Sequence, residues 1–268
     1  MSVNIRNLDI SINGNSIVHD VQLTIADGER VGLIGSSGSG KSMIAKAMMG
    51  ILPSMAQVSG DIDLDGTHVV GATDEVMATL RGRSVGMVFQ NPSVALNPVM
   101  TVAQQVGLPL YLHYDLTLEE RAERVKTMLS KVGLAEDALL KYPHELSGGQ
   151  QQRVGIATAL ITSPRLIIAD EPTTALDSIT QRQIVDLLTS LVDDSGASML
   201  FITHDFSVLR RATTRCYVLS KGMSWNPARL PCCLSVPRRP KPQIWSGPRA
   251  SFRSMSKEDD DGRTDHSA

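Results

Sequence analysis

Cysteine is scarce in this chain of 268 residues: only Cys216, Cys232 and Cys233 are present. Their spacing suits neither a zinc site nor a disulfide framework, the adjacent pair reads as incidental, and a reducing compartment is expected. Excess charge is lacking as well. A formal net charge of −2 gives no overall drive toward nucleic acid. No run of about 18 apolar residues occurs, and Met1-Ser2-Val3-Asn4-Ile5-Arg6 has no apolar core of a signal peptide. The chain is therefore expected to be soluble unless a partner holds it at a membrane. Its length suits one large α/β domain, or a domain with a subdomain.

What the chain does contain is a glycine loop. Gly35-Ser36-Ser37-Gly38-Ser39-Gly40-Lys41-Ser42 fits G-x-x-x-x-G-K-[ST] at every defined position. Residues 30–34 read as a short buried strand entering it and residues 43–49 as the helix leaving it. Gly35, Gly38 and Gly40 let the backbone bend and aim several N–H groups at a β-phosphate, and the helix N-terminus adds partial positive charge. Lys41 is expected to reach the β- and γ-phosphates of ATP, and Ser42 to place its hydroxyl on Mg²⁺.

The rest of the chain is organised around that loop. Residues 4–12 and 18–25 alternate like strands on either side of Asn13-Gly14-Asn15, and Asp27-Gly28 precedes the strand at Val31, so an antiparallel sheet feeds a parallel core. Residues 58–66 read as another edge hairpin and 84–90 as a buried strand. From about 91 to 162 the pattern is helical. Ala122, Val125, Leu129 and Val132 form one face of a helix over 118–132, read as core packing. Residues 165–169 and 199–203 are compact apolar strands, and between them 179–192 forms an amphipathic helix with Ile184, Leu187, Leu188 and Leu191 on one side. Helices alternating with short buried strands imply parallel crossovers.

Two further segments carry chemistry. Leu166-Ile167-Ile168-Ala169-Asp170-Glu171 is an apolar strand ending in two carboxylates, one able to hold Mg²⁺ and the next to polarise water. Alone it would serve equally as a helix cap. Leu146-Ser147-Gly148-Gly149-Gln150, opening a helix over 151–161, offers a second phosphate-binding surface separate from the first loop.

With both segments and Lys41 in one chain, the sequence resembles the ATP-binding subunits of ABC transporters, from about residue 3 to 222. The resemblance implies an α/β fold: a RecA-like P-loop NTPase core with a parallel sheet, an N-terminal antiparallel β subdomain and an inserted α-helical subdomain at about 91–162. It implies that Ser147, Gly148, Gly149 and Gln150 bind the γ-phosphate held by a partner subunit's loop. Gln90 resembles the Q-loop glutamine that reaches metal and water, Asp170 the Walker B aspartate and Glu171 the general base. Ala175-Leu176-Asp177 resembles the D-loop at the dimer seam, and His204 the switch histidine at the γ-phosphate.

Residues 89–101 and Tyr142-Pro143-His144-Glu145-Leu146 resemble the importers of di- and oligopeptides and of nickel. That likeness implies two such ATPases with two membrane permeases and an extracytoplasmic solute-binding protein, no nucleic acid, and a place on the cytoplasmic face of a bacterial inner membrane. Two departures stand out. Ile12 occupies the place where most relatives stack an aromatic ring on adenine, so apolar packing is expected there. From Met223 to Ser256 there are six prolines and six Arg or Lys without an acid, read as a largely unstructured tail over 223–268 and as a C-terminus replaced by a shifted reading frame. A non-transport ABC ATPase and a nucleotide-binding module impaired by its altered C-terminus are the alternatives. The former is disfavoured by the single cassette without a long coiled coil.

Overall fold

The computed structural model describes residues 1–174 and 176–220. The expectation for the tail lies outside the described residues. Two sheets organise the chain. The first is antiparallel, in the order β2-β1-β4-β5, and contains β1 (Val3–Ile12), β2 (Asn15–Ile25), β4 (Ala56–Leu64) and β5 (Thr67–His68). The second is parallel, in the order β6-β7-β8-β3-β9, with β3 (Arg30–Gly35), β6 (Val85–Val88), β7 (Leu166–Asp170), β8 (Ser198–Thr203) and β9 (Arg215–Leu219). The edge hairpin expected over 58–66 is present: β4 turns at Asp65-Gly66 into the two-residue β5, which closes this edge of the sheet, while β1 pairs with the other side of β4.

The parallel strands are apolar on both faces because both faces are covered. Successive side chains point to opposite sides, and the two cores divide accordingly. Ile167, Ala169, Met199 and Phe201 face a core shared with the helices after β6. Leu166, Ile168, Leu200 and Ile202 face a second core shared with α1 (Lys41–Met48) and the antiparallel sheet. Phe201 is fully buried at the centre of the sheet, where truncation to Ala would cost about 3–5 kcal/mol.

Between β6 and β7 the chain is helical: α3 (Pro92–Ala95), α4 (Val102–His113), α5 (Leu118–Lys131) and α6 (Gly148–Leu160). The last three each begin with a reciprocal cap, Thr101 with Gln104, Thr117 with Glu120 and Ser147 with Gln150, which satisfies two otherwise orphaned donors per helix. Val125, Leu129 and Val132 are buried as the spacing of α5 predicts, whereas Ala122 is exposed, so the packed stripe is narrower than expected. Three elements were not anticipated: α2 (Asp74–Leu80), α8 (Phe206–Ala212) and β9. The first two are only seven residues long, too short for a helical period to stand out. Helix α7 (Ser178–Ser195) lies between β7 and β8 in the chain.

Parallel order places the carboxyl ends of β3, β6, β7 and β8 along one edge of the sheet. That edge is where open α/β sheets present their ligand-binding loops.

Candidate functional site

The glycine loop follows β3 along that edge. A Cβ at Gly35 would lie 2.3 Å from Leu219 O, so only glycine lets the loop pass the end of β9. Gly40 caps α1 in the left-handed region at φ 98°, and a Cβ there would meet Val18 Cγ2 at 2.7 Å. Between them Ser39 N–H donates to Ser36 O at 3.2 Å, closing the turn. Ser36, Ser37 and Gly38 form its exposed crest.

Two donors in the loop point to an anionic ligand. Lys41 is 4% exposed, and its Nζ donates to the loop's own carbonyls, Gly35 O at 2.9 Å and Ser36 O at 3.0 Å. Ser39 Oγ is buried and has no hydrogen-bond partner among the described residues. A buried hydroxyl without a partner is costly, and an ammonium beside it at a helix N-terminus suits phosphate oxygens.

The groups for a cation lie next to it. Ser42 Oγ donates to Asp170 Oδ1 at 3.0 Å. Burial pushes the Asp170 carboxyl above the usual carboxylate range, against the Ser42 hydrogen bond and with the help of the neighbouring Glu171 charge. A hydroxyl and a carboxylate are hard oxygen donors of the kind Mg²⁺ prefers, and that ion takes its remaining ligands from water and phosphate. The pair fits such an ion.

Glu171 follows in an unusual backbone conformation. Its φ is 45° and its N–H donates to Ile202 O at 2.9 Å, tying the end of β7 to β8. A non-glycine residue held there costs about 1–3 kcal/mol. The carboxylate gathers side chains from separate elements: Gln90 Nε2 at 3.1 Å, His204 Nδ1 at 3.2 Å and, on the other oxygen, Lys41 Nζ at 3.9 Å. The sheet edge thus brings Gln90, Lys41, Ser42, Asp170, Glu171 and His204 into one cluster. It also supplies a contact the motifs did not indicate, a hydrogen bond from Thr174 Oγ1 to Glu171 Oε2 at 2.9 Å. A threonine three residues beyond a carboxylate carries no signal in sequence, because the turn joining them must be seen first.

Ser147 to Gln150 stand elsewhere. They begin α6, with Ser147 N–H donating to Gln150 Oε1 at 2.9 Å and Gln150 N–H to Ser147 Oγ at 3.3 Å. Among the described residues no hydrogen bond or ion pair joins them to the glycine loop or to Glu171. Ser147, Gly148 and Gln150 are exposed, and Gly149 backs onto Thr180, whose Cγ2 would lie 2.9 Å from an added Cβ. Asp177 caps α7 by accepting from Ile179 and Thr180 N–H, both at 3.0 Å. The hydrogen bonds of Thr180, and that of Ile179, hold its carboxyl below the usual range. Ile12 is half-buried at the end of β1.

Comparison with known proteins places this geometry. Residues 18–174 match the ABC transporter family. The chain is 43% identical over 211 residues to an uncharacterised ABC transporter ATP-binding protein, YejF of Escherichia coli (strain K12), covering 77% of this chain and 40% of the relative. It is 39% identical over 226 residues to the oligopeptide transport ATP-binding protein OppD of Lactococcus lactis subsp. cremoris (strain SK11), covering 83% and 67%. The chain therefore spans about two fifths of the length of YejF. Among solved structures it resembles the dimeric post-hydrolysis state of the ATP-binding cassette MJ0796 bound to ADP and Pi, at 33% identity and a TM-score of 0.73, over 82% of this chain and 97% of that one. With a family match across both the glycine loop and the Asp170–Glu171 strand, and a cassette structure covered almost whole, the chain belongs to the ABC transporter family.

Proposed function

We propose that this chain is the ATP-binding subunit of a bacterial peptide importer and hydrolyses ATP to drive uptake. One observation carries the catalytic part: the Glu171 carboxylate sits among Lys41, Gln90 and His204, beside the Ser42–Asp170 pair. The peptide assignment is supported by relatives such as OppD. Nickel, the other cargo suggested by residues 89–101, has no support from the relatives named here.

In this reading the loop from Gly35 to Ser42 holds the phosphates, with Lys41 leaving its own carbonyls for the β- and γ-oxygens. Ser42 and Asp170 would hold Mg²⁺, which when bound supplies positive charge to those oxygens. Glu171 takes a proton from the attacking water. The water oxygen bonds to the γ-phosphorus, and the bond from that phosphorus to the bridging oxygen breaks. ADP leaves with the electron pair. Gln90 and His204 orient the water and the γ-phosphate.

Among the described residues no hydrogen bond or ion pair joins Ser147 to Gln150 to this chain's own loop, and the reading gives them a second, homologous ATPase subunit whose loop they complete. The dimeric state of MJ0796 supports this arrangement. Two permeases and an extracytoplasmic solute-binding protein complete the assembly, and the ATPase docks on its cytoplasmic face. No helix among the described residues is long and apolar enough to cross a membrane, so attachment would come through the permeases. The test is nucleotide binding and phosphate release by the full chain: Lys41→Ala loses binding, whereas Glu171→Gln binds ATP and does not turn it over. Phosphate release at the parental rate by Glu171→Gln contradicts the assignment.

A further inference from the structure

The turn after β7 carries a hydroxyl that no motif assigns. Thr174 Oγ1 donates to Glu171 Oε2 at 2.9 Å, and Thr174 N–H donates to Glu171 O at 3.2 Å, so the two residues close one turn. The same oxygen has two other polar neighbours, Gln90 Nε2 at 3.1 Å and His204 Nδ1 at 3.2 Å. These differ from Thr174 in how they are held. Gln90 and His204 are exposed side chains beyond the ends of β6 and β8, and both are assigned above to water and the γ-phosphate.

Thr174 is half-buried on a fastened backbone. The preceding Thr173 is 4% exposed and accepts from Gln181 Nε2 at 3.2 Å, which ties the turn to the first turns of α7. Leu176 N–H donates to Thr173 O at 3.3 Å and continues the turn. When Gln90 and His204 engage the nucleotide, Thr174 is the donor that stays.

The two oxygens of Glu171 are therefore unequal. Oε2 receives the donors, and Oε1 has Lys41 Nζ at 3.9 Å. Once Lys41 turns to the phosphates, Oε1 is left for water. The left-handed backbone of Glu171 sets where its side chain begins, but rotation about its own bonds would exchange the two oxygens unless one is held.

We infer that Thr174 is a positioning residue for ATP hydrolysis: its hydroxyl pins Oε2 of Glu171 so that Oε1 faces the attacking water. This rests on Glu171 being the base. It predicts an effect on turnover and none on ATP binding, because Thr174 touches the base and not the phosphates. Hydrogen bonds to a charged group of this kind correspond to about ten- to hundredfold in rate.

The experiment compares Thr174→Val, Thr174→Ala and Thr174→Ser with the parent and with Glu171→Gln, measuring hydrolysis by the full chain against ATP concentration and, separately, ATP binding. Both hydroxyl-free variants are expected to lose about ten- to hundredfold in kcat with KM and binding unchanged, and Thr174→Ser to return to near the parental rate. Two such variants are used so that a folding defect in one leaves the other to decide. Parental kcat in Thr174→Val or Thr174→Ala overturns the inference. So does a Thr174→Ser protein as slow as they are, since the methyl group would then be what matters. If Glu171→Gln is inactive while Thr174→Val is fully active, only this inference falls. If Glu171→Gln is itself active, the base assignment falls and this inference with it.

Discussion

Ser42 Oγ donates to Asp170 Oδ1 at 3.0 Å, joining residues 128 positions apart at the carboxyl ends of β3 and β7. Neither residue could be placed by its own segment. Their meeting follows from strand order, in which β8 alone separates β3 from β7.

Asp170→Asn keeps the shape and removes the charge. The hydrogen bond from Ser42 Oγ can be kept by the amide oxygen, so the fold is expected to persist. The gain in ATP affinity on adding Mg²⁺ should fall by about tenfold or more, as loss of a charge-bearing cation ligand implies. Titration of the variant with ATP in Mg²⁺ and in EDTA checks this, and an unchanged Mg²⁺ effect counts against the pair as the cation's seat.

Gly40→Ala should cost about 2–4 kcal/mol of stability, from the left-handed backbone together with the clash. The new Cβ would sit 2.7 Å from Val18 Cγ2 and 3.0 Å from Ile17 O, with φ fixed at 98°. Urea denaturation reads the loss, and ATP binding should fall with it because α1 starts at this residue.

Glu29 links pH to stability. Arg215 Nε donates to Glu29 Oε1 at 2.8 Å and its terminal nitrogen to Oε2 at 2.9 Å. Burial pushes the Glu29 carboxyl up, but the hydrogen bonds from Arg215 and the Ala26 N–H outweigh burial and hold it below the usual range. A carboxyl depressed in the folded state stabilises above its unfolded value, and that contribution is lost as pH falls through the folded one. Glu29→Gln should therefore cost about 1–2 kcal/mol at neutral pH. The gap from the parent should shrink as the pH falls from the ordinary glutamate value toward the depressed Glu29 value and be lost below it, as paired denaturation curves would show.

Much of the fold was legible because its signals are local. The β3–loop–α1 unit is contiguous, and the runs at 166–169 and 199–203 are apolar on both faces because both faces of the parallel sheet are covered. Strand β9 was missed: Arg215, Tyr217 and Val218 lie outside the fully buried set, so it does not read as a buried apolar run. For the site, residue types were legible from the motifs, but the convergence on Glu171 was not. Gln90, Lys41, Thr174 and His204 meet there through three crossovers and one turn, and Thr174 is visible only through its hydrogen bond. Asp177, assigned to a dimer seam by resemblance, is seen here capping its own helix.

The central claim is that one chain holds half of each catalytic site, with Lys41 and Ser147 serving different ATP molecules. The most direct measurement follows ATP binding and hydrolysis per chain across a wide range of protein concentration. Binding is predicted to be the same throughout, and hydrolysis per chain to be near zero when dilute and to rise as chains associate. Substantial hydrolysis per chain that stays constant on dilution would contradict the account, because a single chain would then contain a complete site.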